Sequence, residues 1–262
     1  MLDLALYAVA GFFIALFGTS VGLALGVLRL PIILMIGLPA GVAAGTNIGV
    51  TAISSGIGSL GHIKAGRLDH RLMVTMGIPA MVGSFAGGFL GGMVPTELLL
   101  ILISIVVCWQ GILLFLQGQR QVRLRDNISG TDYDIRKQEA PRRVLSIEVF
   151  LGVGIGFLGA MVGVALGVMR LPAMIQILKV EPGIAVGTTL AIGFLSGVLG
   201  MIGRLVHGQV DFQILIVMGI TAGVGSYYGA RLTGRIRPDI LRMLIGLVLV
   251  VSAAVMLRQV FA

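Results

Sequence analysis

The chain has 262 residues, 57% of them hydrophobic and 11% charged, and its mean hydropathy is +1.05. Such a chain cannot show water a mostly polar surface, which excludes a soluble globular domain and defines an integral membrane protein. The formal charge of +8 sits at helix ends and in one linker, where positive-inside bias and attraction to an anionic lipid bilayer account for it, so no nucleic-acid partner is expected.

Crossing the hydrocarbon core as a helix takes about 20 mainly apolar residues. Apolar runs follow one another along the chain with one interruption, and their length and weak alternation argue against a β-barrel. The N-terminus opens Met-Leu-Asp and enters apolar sequence without a basic n-region or a small-residue cleavage site, so it is expected to be the first helix and not a signal peptide. Polar and proline breaks divide the first half into pieces at 4–17, 21–36, 40–60, 72–90 and 98–116. The second half divides at 148–157, 163–178, 184–202, 214–230 and 241–257. The last three pieces of each half have full or nearly full spanning length. The first two are short, and form either a pair of short crossings or a re-entrant hairpin lining a cavity.

The interruption, 118–144, carries 11 of the chain's 30 charges and is expected to be a cytoplasmic linker between a first repeat at 1–117 and a second at 145–262. GLALGVLRLP at 22–31 returns as GVALGVMRLP at 163–172, an offset of 141. At an offset of 142, Gly45-Thr46 aligns with Gly187-Thr188, Gly66 and Asp69 with Gly208 and Asp211, and Gly83-Ser84 with Gly225-Ser226. Pro95 aligns with Pro238 after one more inserted residue. Similarity kept in order over this length marks a duplication.

Loop charge suggests how the copies are oriented. Lys64, Arg67 and Arg71 face only Arg204 at the equivalent loop, whereas the empty 93–97 loop faces Arg231, Arg235, Arg237 and Arg242. Opposite bias in equivalent loops is the signature of inverted repeats. With the N-terminus outside and an odd number of crossings per half, 15 of the 19 basic residues fall in the cytoplasm; four crossings per half puts 12 there. The fold class expected is therefore an all-α polytopic membrane protein with two homologous repeats, inverted, and about 8–10 transmembrane or re-entrant helices.

Each copy of the motif buries an arginine, Arg29 or Arg170, two residues before a proline that tends to kink or break a helix. A charge at the centre of a membrane helix costs about 2.5–3.5 kcal/mol on insertion scales. No acidic residue shares those apolar pieces, so compensation comes from helix carbonyls, from water or from a bound anion, which a guanidinium holds through two parallel hydrogen bonds. The alternative is an arginine that snorkels to an interface or ties down a helix end. Gly45-Thr46-Asn47 and Gly187-Thr188-Thr189 offer hydroxyl and amide groups to the same anion, or serve helix packing. Ser54, Ser55 and Ser196 are weaker candidates of that kind. Asp69 and Asp211 read as N-caps after glycine turns.

His62 aligns with Arg204 and not with His207, so no symmetric proton relay is indicated. Ser196-Gly197 ahead of His207 has the wrong glycine spacing for an intramembrane serine hydrolase. Three scattered histidines, one cysteine (Cys108) and no visible buried carboxylate argue against a metal site or a disulfide. The chain is thus expected to be no enzyme, to hold no cofactor or metal, and to lack a proton-coupling residue.

The glycine-containing run before Arg29-Leu30-Pro31, its copy before Arg170-Leu171-Pro172, the paired Gly-Thr motifs and the paired Gly-x-x-Asp turns resemble the sulfite exporter TauE/SafE family of membrane permeases. The resemblance covers both halves and excludes only the linker. It implies about eight helices in two duplicated groups and transport of sulfur-containing anions such as sulfite, sulfoacetate or thiosulfate. Leu23-Ala24-Leu25 replaces most of the consecutive glycines common in that family.

The function expected is a multi-pass cell-membrane (plasma or inner membrane) permease moving a small anion, a sulfur oxyanion or organosulfonate, by alternating access between the repeats. Substrate-binding residues would be Arg29, Arg170, Thr46, Asn47, Thr188 and Thr189. A transporter of a carboxylate or neutral solute, and a non-transporting scaffold, stay open as alternatives, as does homo-oligomerisation.

Overall fold

A computed structural model describes residues 2–20, 26–35, 37–127, 144–164, 166–232 and 238–261. Leu23-Ala24-Leu25, Arg235, Arg237 and residues 128–143 of the linker lie outside the described residues. The described chain is helical, with five helices in each half. In the first half these are α1 (Leu2–Ser20), α2 (Gly26–Met35), α3 (Ala40–Lys64), α4 (His70–Gly92) and α5 (Thr96–Asn127). The second half has α6 (Leu145–Val162), α7 (Gly167–Pro172, extended by a π turn at Ala173–Ile177), α8 (Pro182–Leu205), α9 (Phe212–Leu232) and α10 (Pro238–Phe261).

Five of these helices are long and apolar enough to cross a membrane by length and composition: α4, α5, α6, α8 and α9. The 25-residue α3 is as long but more polar, and its Thr46, Asn47, Thr51, Ser54, Ser55 and Ser59 are all buried. Polar groups hidden in this way mark α3 as a central helix that turns away from lipid. Its equivalent α8 is the most enclosed of the five, with 61% of its apolar window buried against 39% for α6.

Two of the expected boundaries shift. The piece at 148–157 is really the 18-residue α6, which runs through Gly159 and stops at Gly163, whose φ of +81° supplies a left-handed cap. The short elements are therefore α2 and the helix around Arg170. Ten residues of α2 rise only about 15 Å, half the hydrocarbon thickness. In the other direction, α5 continues past Gly118 to Asn127, because the charged residues after Gly118 are good helix formers. The aspartate caps form as the spacing suggested: the Leu72 N–H donates to Asp69 Oδ1 and the Ile214 N–H to Asp211 Oδ1, each at 3.0 Å. The turns before them hold Gly66 and Gly208 at φ +67° and +65°.

The halves are interwoven. α1 packs on α9 and α6 on α4, α3 packs on α9 and α8 on α4, α3 crosses α8, and α5 pairs with α10. Exchanging each helix for its equivalent in the other half leaves this pattern unchanged. A Cβ on Gly83 or Gly87 of α4 would lie 2.4 or 2.1 Å from the carbonyl of Val153 or Phe157, so α6 lies backbone to backbone on α4. At the equivalent places, a Cβ on Gly225 or Gly229 of α9 would lie 2.2 or 2.3 Å from the carbonyl of Phe12 or Leu16. Such contact needs residues without side chains. The order of these contacts makes α1 parallel to α9 and α4 parallel to α6. Contacts such as Gly49 with Met201 and Gly56 with Phe194 make α3 and α8 antiparallel. Two groups result, α1–α3–α9 and α4–α6–α8, each containing helices from both sequence halves.

Candidate functional site

Each of the short helices α2 and α7 carries one arginine in its first turn. Arg29, 2% exposed, and Arg170, 4% exposed, leave these helices for the region where α3 crosses α8. Among the described residues neither guanidinium pairs with a carboxylate. Arg29 Nε donates to Asn47 Oδ1 at 3.3 Å, and Nη2 donates to Thr51 Oγ1 at 2.6 Å. Asn47 and Thr51 are four residues apart, which puts both on one face of α3. The Asn47 amide then donates to the carbonyls of Gly26 and Gly163, at 2.9 and 2.8 Å, tying the start of α2 to the end of α6.

Arg170 has far less. Its Nη1 reaches the Thr189 carbonyl at 3.5 Å, the limit of a hydrogen bond, and its buried Nε has no partner. The Thr189 hydroxyl turns away to Met174 Sδ at 3.3 Å. Arg170 lines a cavity of about 30 Å³ with Ile48 and Thr51 of α3, Ser84 of α4, Ile155 and Gly156 of α6, and Gly193, Ser196 and Gly197 of α8. That volume admits one or two waters. The larger hollow between α5 and α10, about 500 Å³, is lined by Ser104, Cys108, Trp109 and aliphatic side chains and carries no charge, which suits lipid tails.

Of the residues expected to bind substrate, the structure gathers Arg29 with Asn47, and Arg170 with Thr189, on the two sides of the α3–α8 crossing. Thr46 and Thr188 serve elsewhere: the Asp211 N–H donates to Thr46 Oγ1 at 2.9 Å and the Asp69 N–H to Thr188 Oγ1 at 3.0 Å. Each threonine thus anchors the turn entering a helix of the opposite half. A Cβ on Gly45 or Gly187 would meet the carbonyl of Gln209 or Arg67 of that same turn, at 1.9 and 2.1 Å. The Gly-Thr motif is the seat of that turn.

Two features were not visible in the sequence. Arg204 is fully buried, donating through Nη1 to the Gly91 carbonyl at 2.9 Å and Gln209 Oε1 at 2.7 Å, and through Nη2 to the Met161 carbonyl. It caps the ends of α4 and α6, where the carbonyl ends of the helix dipoles favour a cation. The expectation of no buried carboxylate is corrected by Glu148. Because α6 begins at Leu145, Glu148 falls in its first turn against α4, is 0% exposed, and pairs with Arg71 Nη1 at 2.7 Å. Its Oε2 is buried without a partner.

A helical bundle of membrane-spanning segments, with a half-length helix delivering a buried cation, Arg170, to a cavity between the helices, has the build of a membrane transporter. The family model described as Sulfite exporter TauE/SafE matches residues 7–256, and the chain belongs to that family. It is 25% identical over 227 residues to "Probable membrane transporter protein YdhB" of Bacillus subtilis (strain 168), covering 86% of this chain and 87% of that one. To "Probable membrane transporter protein MJ0441" of Methanocaldococcus jannaschii it is 26% identical over 273 residues, covering 98% and 96%. To "Probable membrane transporter protein YunE" of Bacillus subtilis (strain 168) it is 22% identical over 218 residues, covering 80% and 78%. The family and these relatives are described as membrane transporters, not enzymes. No solved structure matches the chain.

Proposed function

We propose that the protein is a permease of the cell membrane that moves a small sulfur oxyanion such as sulfite across the bilayer by alternating access. The observation that carries this is Arg170: a buried cation with an unpartnered Nε, no carboxylate beside it, and a cavity at its edge. Such a charge calls for a counter-ion, and a guanidinium is shaped to hold an oxyanion through paired hydrogen bonds. The family description supports sulfite as the substrate to test first.

The two repeats are inverted in this reading. Support comes from the parallel α1–α9 and α4–α6 pairs, the antiparallel α3–α8 crossing, and the opposite charge of equivalent loops. The moving units are then the interwoven groups α1–α3–α9 and α4–α6–α8, since separating the sequence halves would tear apart backbone contacts at Gly87 and Gly229. The cavity lies between these groups, so their relative rocking would open it to one side and then the other. At about 30 Å³ it has room for only one or two waters, and a hydrated anion would enter only when the groups part.

The test is flux into proteoliposomes. Saturable sulfite uptake, with little movement of a carboxylate such as lactate or of neutral glycerol, is the expected result. No flux of any oxyanion, or equal movement of glycerol, would refute the proposal.

A further inference from the structure

We infer that the two equivalent arginines have divided their labour: Arg170 alone contacts the transported oxyanion, Gly193 is the residue that keeps it free, and Arg29 is a positioning residue. This rests on the anion-permease reading above and adds to it a single binding arginine per chain.

The argument follows the register of the duplication. Arg29 and Arg170 are equivalent at an offset of 141; Asn47 and Thr189, Thr51 and Gly193, and Ser55 and Gly197 are equivalent at 142. In the first half, both side chains one helical turn apart on α3 are spent on the guanidinium, Asn47 on Nε and Thr51 on Nη2. In the second half, the amide is replaced by a threonine that bonds Met174, and the hydroxyl position is empty because residue 193 is glycine. One arginine has two side-chain acceptors from its own half, while the other has only a 3.5 Å contact with a backbone carbonyl.

The gap at Gly193 opens onto ligand-seeking groups. A Cβ there would stand 3.4 Å from Ser55 Oγ and 3.9 Å from Arg170 Nη1, in ordinary contact. Ser55 Oγ is buried without a partner, as is Arg170 Nε, and Ser196 Oγ has only a 3.5 Å contact with the Gly193 carbonyl. Buried donors left open cost stability unless something accepts from them. An oxyanion presents several acceptors at once, so the guanidinium and the serine hydroxyls would all donate to it. Thr51 also lines the cavity, but its hydroxyl already bonds Asn47 and Arg29, so Arg29 acts on the guest through its field and through the posture of α3.

Because a Cβ at 193 meets only ordinary contacts, the clamp of the first half can be grafted onto the second. Sulfite affinity, by titration in detergent, and sulfite flux in liposomes would be measured for Gly193→Thr, Gly193→Ala, Arg170→Gln and Arg29→Gln, with elution profile and thermal unfolding as the folding control. Gly193→Thr gives Arg170 the hydroxyl that Arg29 has. It and Arg170→Gln are expected to weaken sulfite binding about tenfold or more, the scale of one lost hydrogen bond to a charged group. Gly193→Ala, which adds the carbon without the hydroxyl, is expected to lose much less. Arg29→Gln is expected to weaken binding by less than about threefold, since it removes no contact with the anion; if it does not fold, Thr51→Ala, which frees the same guanidinium, replaces it with the same expectation. Equal losses in folded Arg29 and Arg170 variants, or wild-type affinity in Gly193→Thr, would overturn the division of labour while leaving anion transport standing. A wild-type protein that binds no oxyanion removes both.

Discussion

Arg29 and Arg170 hold equivalent places in the two halves, yet one is held by two side chains of its own half and the other has a buried Nε without a partner. The frame around them has not drifted in the same way. The aspartate caps, the Thr46 and Thr188 anchors and the glycine contacts at 87 and 229 occur once in each half with nearly the same distances. Duplication here preserves what holds helices together and diverges where a charge meets a cavity. Close backbone packing tolerates no substitution, whereas a polar niche can be filled or emptied one residue at a time.

The comparison is easiest to break at the frame. Gly87→Leu drives a side chain into the Phe157 carbonyl and should cause the largest loss, several kcal/mol on the scale of overpacking against backbone, seen as protein that no longer elutes as a single species from detergent. Gly229→Leu, against the Leu16 carbonyl, should fail to the same degree. A well-behaved Gly229→Leu protein would show that the two frames are not equivalent.

Next come the arginines. Arg29→Ala removes the partner of Asn47 and Thr51 and is expected to cost about 3 kcal/mol, two hydrogen bonds to a charged group. Arg170→Ala removes a buried charge that the protein barely compensates and should change stability by less than about 1 kcal/mol, or raise it. Thermal unfolding in detergent, without added anions, reads both. Equal losses would mean that Arg170 has partners as good as those of Arg29.

The Arg71–Glu148 pair sharpens the contrast between halves, because Tyr7 and Gln213 stand at the equivalent positions. Arg71→Ala strands a buried carboxylate. With Arg71 itself one-third exposed, the cost should be about 2 kcal/mol, below that of a fully buried pair, and Glu148→Gln in the same background should recover most of it. The smallest effects belong to Thr46→Val and Thr188→Val, each about 1 kcal/mol for one neutral hydrogen bond and close to each other in size. A large difference between them would mean that one threonine does more than seat a turn.

Much of the frame could be read from the sequence because it rests on short-range rules. The ten apolar pieces correspond to ten helices among the described residues, and the Gly-x-x-Asp turns capped the helices they precede, since a cap depends only on residues three apart. Glu148 escaped because a carboxylate at the edge of an apolar run looks like a solvated helix start; α6 begins three residues earlier and turns it onto α4. At the site the arginines stood out as charges in apolar runs, while the Thr46 and Thr188 hydroxyls accept from the Asp211 and Asp69 N–H groups of the facing turns. The informative signal lay one turn further on, Asn47 with Thr51 against Thr189 with Gly193. Spacing of four identifies a face, but only the crossing of α3 and α8 shows that this face borders the cavity.

The most direct measurement is a structure of the protein with selenite, an electron-dense mimic of sulfite, at saturating concentration. The account predicts one strong feature per chain between α3 and α8, within hydrogen-bond distance of the Arg170 guanidinium and Ser55 Oγ and absent from Arg29. No feature there, or equal features at both arginines, would contradict it.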